Sequence, residues 1–170
     1  MGKLLLSLVL FSILSCQSES RTDSFNHTVL TSPSGDKINT RLVYTPKDQE
    51  QGLSGVRPED FKENEGMLFF YLVPDMRYFW MPDTYFDLDL FYLDQDLKIT
   101  DIIRRLPHYV GRLNPELIPK ARGVWSLHVL EMKADSPIGK NLKIGDQLKW
   151  SGSKNLQETI DHVKSKLSPQ

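Results

Sequence analysis

The sequence MLFFYLVPDMRYFWMPDTYFDLDLFYLDQDLKI, residues 67–99, determines the kind of fold that the chain can adopt. Its apolar and aromatic runs are interrupted by turn-forming residues at 74–75 and again at 94–96. Short runs of aromatic and aliphatic residues between turn-forming residues are typical of β-strands. The centre of the chain is therefore predicted to form β-strands, with a hairpin over 88–103.

On the N-terminal side, two shorter β-type runs at 27–31 and 38–44 flank a turn-rich sequence that suits a hairpin. Thr45 and Pro46 follow as an N-cap and a proline at the first helical position. The pattern predicts a pair of strands and then a short helix over 46–53.

On the C-terminal side, three prolines and a glycine within 106–119 indicate an irregular loop. A strand is predicted at 124–132, and a turn followed by the last strand is predicted over 142–150. Residues 153–170 carry apolar side chains at helical spacing, namely Leu156, Ile160, Val163 and Leu167. The whole pattern predicts a mostly β, α+β fold. We expect a compact, barrel-like antiparallel sheet with the short helix near 46–53 and a C-terminal amphipathic helix.

The N-terminal sequence predicts an export signal. Lys3 is followed by an apolar run at 4–14, which is too short to span a bilayer and has the length of a signal-peptide core. The run ends in ILSC, which resembles the lipobox of bacterial lipoprotein precursors and makes Cys16 the predicted lipidation site. There are two alternatives. The protein could be an ordinary secreted protein with a free thiol, or the apolar run could be retained as a membrane anchor.

The predicted mature protein begins at Cys16, continues through a polar, flexible tether over 16–26 and folds as a single β-rich domain over 27–152. We expect it to be lipid-anchored in the bacterial cell envelope. Gln17 after the cysteine resembles the signal for export to the outer membrane, facing the periplasm, if the host is Gram-negative. A protein that carries two or more acyl chains is held stably at a membrane.

Composition excludes several classes of function. The net charge of −1 becomes −2 when residues 1–15 are removed with Lys3, so no overall basic field favours nucleic acid. Cys16 is the only cysteine, so disulfides, thiolate metal sites and cysteine nucleophiles are not expected in the folded part. No motif predicts a cofactor or a metal site.

Six short segments carry a resemblance to a known family: QGLSG at 51–55, EGMLF at 65–69, FWMPDT at 79–84, DLDLF at 87–91, VLE at 129–131 and GD at 145–146. In their order and spacing the chain resembles, over about residues 42–150, the bacterial and archaeal family known as domain of unknown function 192. The resemblance implies a compact, barrel-like β domain that is often exported or lipid-anchored and has no established activity. The chain departs from the family pattern at Pro82-Asp83, Asp87 and Asp135.

The aromatic segment suggests a ligand site whose candidate residues are Trp80, Met81, Asp83, Thr84, Asp87 and Asp89. Alternation along a strand places Asp87 and Asp89 on one face with Phe91 and Leu93. A buried Asp89 could be a general acid or base or a ligand of a hard cation. Alternatively, it accepts hydrogen bonds from backbone amides or Thr84 and fixes the start of the strand.

A basic loop offers a candidate anion site formed by Arg104, Arg105, Arg112 and Arg122, although a solvated basic rim is the simpler interpretation. The four histidines show no metal-binding spacing. An envelope copper site formed by Met67, Met81 and His108 remains an alternative, because copper favours histidine and methionine ligands.

The sequence as a whole favours a non-catalytic, lipid-anchored domain that binds a small molecule or an envelope protein through residues 80–89 and the basic loop. This hypothesis predicts that Asp89→Asn weakens binding. The alternative from another class is a hydrolase or transferase in which Asp89 is the acid or base and Arg104 or Arg105 holds an anionic substrate.

Overall fold

The computed structural model of the protein describes residues 25–168, so the predicted signal peptide, Cys16 and most of the tether lie outside the described residues. The strands are β1 His27–Thr31, β2 Lys37–Val43, β3 Glu65–Phe69, β4 Asp75–Arg77, β5 Leu88–Leu93, β6 Ile99–Leu106, β7 Val124–Ser126, β8 His128–Lys133 and β9 Lys149–Trp150. The α-helices are α1 Pro46–Gln51, α2 Pro137–Asn141 and α3 Leu156–Leu167, and a short 3-10 helix spans Pro58–Asp60.

Seven strands form a curled half-barrel sheet in the order β6-β5-β8-β3-β2-β1-β9, and β4 and β7 form a separate two-stranded ribbon. The prediction of a mostly β fold with a C-terminal helix is confirmed. The sheet is not entirely antiparallel, however, because β2 and β3 pair in parallel. The segment that contains α1 causes this arrangement, since it crosses from the end of β2 back to the start of β3.

Each face of the sheet carries its own apolar core. One face, here called the helix face, packs Leu30, Phe91 and Leu130 against residues of α3 and the end of α2. The opposite face, here called the loop face, packs Met67, Leu90 and other side chains under irregular segments that contain residues 53–61, 79–81 and 106–121. Because side chains alternate along each strand, neighbouring residues belong to different cores.

The C-terminal half differs from the prediction in two places. The run at 124–132 is broken at Leu127, so that β7 pairs with β4 in the ribbon while β8 enters the main sheet. The run at 142–150 provides only the two residues of β9, and α2 precedes it. Ser136 caps α2 by accepting a hydrogen bond from the Gly139 amide, and the proline after it occupies the first helical position.

The helix ends agree with their sequence signals. Thr45 caps α1, which ends two residues before the predicted limit. Asn155 and Glu158 form a reciprocal capping box at the start of α3. Among the described residues, no helix is long and apolar enough to cross a membrane.

Candidate functional site

A cavity of about 120 Å³ lies on the loop face, and we call it the Glu131 pocket after the acid that lines it. Its walls come from five separate parts of the chain: the end of α1 with the following turn (49–54), the end of β3, the segment 78–84, Leu88 and Glu131. Five of the segments through which the sequence resembles domain of unknown function 192 therefore contribute to one pocket. Residues far apart in the chain meet here because β3, β5 and β8 are adjacent in the sheet.

Glu131 is a buried acid that forms no hydrogen bond or ion pair with another described residue. It lies in β8 between Met67 of β3 and Leu90 of β5, which are its direct neighbours across the sheet. Its side chain is 4% exposed, and burial raises its pKa from the ordinary value of 4.5 to about 8. No hydrogen bond or ion pair from residues 25–168 offsets this effect. The carboxyl group is therefore largely protonated at neutral pH, and it can both donate and accept a hydrogen bond.

The polar wall of the pocket is held in place by hydrogen bonds to the backbone. The Ser54 hydroxyl donates to the Pro82 carbonyl at 2.7 Å and accepts from the Arg112 guanidinium at 2.7 Å. The Thr84 hydroxyl donates to the same Pro82 carbonyl at 3.3 Å. Two glutamines of α1, Gln49 and Gln51, donate to nearby backbone carbonyls. The wall is thus formed before any ligand arrives.

Aromatic rings form the other wall and the mouth. The rings of Phe69 and Phe79 meet edge to face with centroids 4.8 Å apart. Tyr71 also lines the pocket, and the Arg77 guanidinium lies 3.5 Å from its ring centroid. Tyr78 and Trp80 line the pocket while remaining 72% and 51% exposed, so they mark its opening to the surface. A ligand would meet these two rings first.

The structure separates the six residues predicted as a ligand site. Trp80, Met81 and Thr84 line the Glu131 pocket. Asp83 instead holds a turn, where it has a positive φ of 50° and its carboxylate accepts from the Tyr85 hydroxyl and the Gly111 amide. The proposed cluster therefore divides into pocket residues and residues that shape the chain around the pocket.

Asp87 lies outside the pocket and pairs with His108. Its carboxylate accepts from both the amide and the ring Nδ1 of His108, at 2.9 and 2.6 Å. Burial acts to raise the pKa of Asp87, but these hydrogen bonds outweigh it and the pKa is lowered. Both side chains are well exposed, and they border a separate surface depression beside β8.

Asp89 lies on the helix face, opposite the Glu131 pocket. Its side chain is 2% exposed, and its carboxylate accepts from the Arg105 amide at 2.9 Å and the Arg104 guanidinium at 2.5 Å. Arg104 also donates to the carbonyls of Gly139 and Leu142 and so joins β6 to α2. Asp89 thus holds the backbone of β6 and, through Arg104, the end of α2. This agrees with the alternative interpretation, although the backbone amide that donates to Asp89 belongs to Arg105 and Thr84 is not involved. This arrangement leaves the acid or base hypothesis without a substrate-facing carboxylate at Asp89.

The four arginines predicted as an anion site bind four different partners. Besides the Arg104–Asp89 pair, Arg105 pairs with Asp135, Arg122 pairs with both carboxylate oxygens of Asp101, and Arg112 binds Ser54. The structure therefore does not direct these guanidinium groups to one common point.

The possible copper ligands are also apart. Met67 and Met81 are buried in the loop-face core, whereas His108 is about half exposed and bound to Asp87. Within residues 25–168, no group of three or more histidine, cysteine, aspartate or glutamate side chains is arranged to hold a metal ion.

His128 is a neutral structural histidine whose titration should be measurable. It is 3% exposed, stacks on Phe70 and accepts a hydrogen bond from the Tyr71 amide at Nδ1. Burial, aided by Arg77, lowers its pKa from 6.5 to about 4. Because the folded pKa is depressed, the stability that His128 contributes should be lost as the pH falls from 6.5 through 4, by on the order of 3 kcal/mol.

Urea unfolding between pH 4 and pH 8 tests this prediction. His128→Asn keeps an acceptor for the Tyr71 amide and should lose less stability than the wild type as the pH falls from 6.5 to 4, whereas His27→Asn, at an exposed position, should follow the wild type. An unchanged profile in His128→Asn would contradict the assignment.

These features define a class of protein: a half-barrel β domain that encloses a small pocket with one buried acid and an aromatic mouth. The chain belongs to the family of domain of unknown function 192 (DUF192), described as Uncharacterized ACR, whose model matches residues 28–150. The match begins earlier than the predicted limit and includes β1 and β2. No curated protein shows significant similarity to the chain.

Two solved structures share the fold. One, from Sinorhizobium meliloti 1021, is described as a proposed transcription regulator; it is 25% identical with a TM-score of 0.58, over 73% of this chain and 92% of that one. The other is a protein of unknown function from Novosphingobium aromaticivorans DSM 12444, 26% identical with a TM-score of 0.58, over 73% of this chain and 84% of that one.

Proposed function

We propose that the protein is a non-catalytic, lipid-anchored binding protein of the bacterial envelope that holds a small ligand in the Glu131 pocket. The observation that carries the proposal is the buried, unpaired Glu131 carboxyl at a pocket built from five parts of the chain. An unpaired polar group in a protein interior costs stability, so its presence at a pocket points to a partner that arrives from outside.

The pocket limits the chemistry of the ligand. A volume of about 120 Å³ admits a few water molecules or one small chemical group, so the ligand inserts an end group and not its whole body. A protonated carboxyl pairs best with a group that both donates and accepts, such as an amide or a hydroxyl. The aromatic wall suits a flat or apolar flank beside that group.

Binding is favoured over catalysis because Glu131 stands alone. Apart from Glu131, the ionisable residues that line the pocket are Glu50, Tyr71 and Tyr78, and burial raises the pKa of Tyr71 further above 10. A single carboxyl can act as a general acid or base, but the Ser54 and Thr84 hydroxyls of the lining donate to the Pro82 carbonyl, so the pocket offers Glu131 no hydroxyl nucleophile to activate.

The location in the envelope is proposed from the sequence alone. The apolar run at 4–14, the single cysteine at position 16 and the polar tether support processing and lipidation at Cys16. The tether would let the domain reach its ligand while the protein stays attached to the membrane.

Native mass spectrometry of the full-length protein, extracted from its own envelope in mild detergent, tests the binding proposal. We expect the wild type to carry a small-molecule adduct, and we expect Glu131→Leu to reduce its occupancy at least tenfold, since a lost hydrogen bond to a buried acid costs about 1.5 kcal/mol or more. Glu131→Gln keeps a donor and an acceptor and should retain more adduct than Glu131→Leu.

Asp87→Asn is the matched control, because Asp87 is an acid outside the pocket. It should retain the adduct fully, and circular dichroism should show that all three variants are folded. A wild type without adduct, or an adduct that survives Glu131→Leu, would contradict the proposed function.

A further inference from the structure

The exposed apolar side chains of the described residues are concentrated in one part of the chain. Eight of the ten large hydrophobic side chains that are exposed lie between residues 73 and 125. They include aromatic residues, which are usually at least partly buried, and Leu113, which is 93% exposed in a loop. Such a concentration marks an interaction surface and differs from the scattered exposed residues of an ordinary protein surface.

Strand pairing brings the aromatic members together. Met76 of β4 is the direct partner of Trp125 of β7, so their side chains share one side of the ribbon. Tyr78 and Trp80 follow Met76 at intervals of two residues, and the Tyr78 ring lies so close over Gly123 that a Cβ there would be 2.6 Å from it. We call the surface formed by Met76, Tyr78, Trp80, Leu113, Leu117 and Trp125 the aromatic face.

The loop that carries the two leucines is bound beside this strand. The Met81 amide donates to the Pro119 carbonyl, and the Asp83 amide donates to the Gly111 carbonyl. Trp80 also forms a β-bridge with Lys120. Leu113 and Leu117 lie between these anchoring points in sequence, so the loop extends the aromatic face.

The segments that form the aromatic face are basic, although the chain as a whole is acidic. Residues 73–80 and 107–125 contain four cations, Arg77, Arg112, Lys120 and Arg122, and two acids, Asp75 and Glu116. Their net charge is +2, or +1 when Asp101, the ion-pair partner of Arg122, is counted with them, whereas the remaining residues carry −2 of the total of −1. Positive charge beside exposed apolar side chains is complementary to an anionic lipid surface.

We propose that the aromatic face lies on the surface of an anionic phospholipid bilayer. Tryptophan and tyrosine favour the level of the lipid headgroups, and basic side chains around them pair with lipid phosphates. The inference rests on the proposed function for the lipid anchor that brings the domain near a membrane. Because Tyr78 and Trp80 also form the mouth of the Glu131 pocket, this orientation turns the pocket towards the headgroups.

Tryptophan fluorescence in vesicles with brominated acyl chains tests the orientation, because bromine quenches only indoles that reach the bilayer. The full-length protein is reconstituted in vesicles of equal parts phosphatidylcholine and phosphatidylglycerol. Trp150→Phe retains Trp80 and Trp125, whereas the double variant Trp80→Phe/Trp125→Phe retains Trp150, whose indole donates to the Lys154 carbonyl away from the aromatic face. We expect severalfold stronger fractional quenching in Trp150→Phe than in the double variant.

Equal quenching of the two proteins, or none in either, would overturn the proposal, and the second result would favour a protein partner for the aromatic face. Flotation of the vesicles separates this failure from failure of the anchor. A protein that floats with the vesicles but shows no quenching is anchored without its aromatic face on the bilayer. If flotation is lost in Cys16→Ser, the anchor is the lipid attached to Cys16.

A second pair of variants tests the loop. Leu113→Asp should reduce the quenching of Trp80 and Trp125 severalfold, because it places a charge at the most exposed point of the aromatic face. Ile144→Asp changes an equally apolar side chain, 61% exposed, outside that face and should leave the quenching unchanged. Equal effects of the two substitutions would overturn the proposal.

Discussion

Glu131→Gln is expected to remove the contribution of Glu131 to the pH dependence of stability, which is a loss of stability as the pH rises from 4.5 to 8. The pKa of Glu131 is about 8 in the folded protein and 4.5 ordinarily, so the folded state binds more protons in this range. The contribution of the protonated acid is therefore fully present below pH 4.5 and is lost as the pH rises through 8. The difference between the two pKa values corresponds to on the order of 5 kcal/mol.

Urea unfolding of the wild type and Glu131→Gln between pH 4.5 and pH 9 measures this effect. Glutamine has the shape of the protonated acid, so the two proteins should have similar stability near pH 5, and the variant should be several kcal/mol more stable near pH 9. Glu116→Gln, which changes an exposed acid of the loop, should follow the wild type. A constant difference between wild type and Glu131→Gln across the range would contradict a buried neutral carboxyl.

Arg104→Met is expected to lower the free energy of unfolding by about 3 kcal/mol. The substitution leaves the buried Asp89 carboxylate without its charged partner and leaves the Gly139 and Leu142 carbonyls without a donor. Breaking a buried ion pair typically costs 3–5 kcal/mol, and the lower value applies because the Arg104 side chain is partly exposed. Chemical denaturation at pH 7 measures the change.

Arg122→Met is the matched control for this prediction. It breaks the ion pair with Asp101, whose arginine is 60% exposed, and exposed pairs contribute little to stability. Folded Arg104→Met should still bind its ligand, because Arg104 lies on the face opposite the Glu131 pocket. Equal losses of stability in the two variants would show that Asp89 is not the buried anchor described above.

Local sequence signals predicted most of the elements but not all of their connections. The caps at Thr45 and Asn155 and the alternation of the strands are local properties, and the structure contains the helices and strands that they predict. The break at Leu127 was not predictable in this way. It arises because Leu127 donates its amide to the Leu93 carbonyl while the chain passes from the ribbon to the main sheet, and that contact depends on tertiary structure.

The candidate site could likewise be predicted only in part from local sequence signals. Strand alternation correctly placed Asp89 on one face with Phe91, but it could not indicate which face of the sheet carries the pocket. Glu131 belongs to the family-like segment VLE, and a single acid in the apolar run at 124–132 is itself a local signal of an unusual position. The other residues of the pocket come from segments up to 82 residues away in sequence, and only the strand order reveals that they meet.

Titration of the Glu131 side-chain carboxyl by carbon-13 NMR, assigned by comparison with Glu131→Gln, tests whether this buried acid is neutral in the folded protein. We expect this carboxyl to titrate near pH 8, because it is buried and no described residue pairs with it. A titration near pH 4.5 would show a hydrated, ionised carboxylate and would contradict both the buried neutral acid and the binding site built on it.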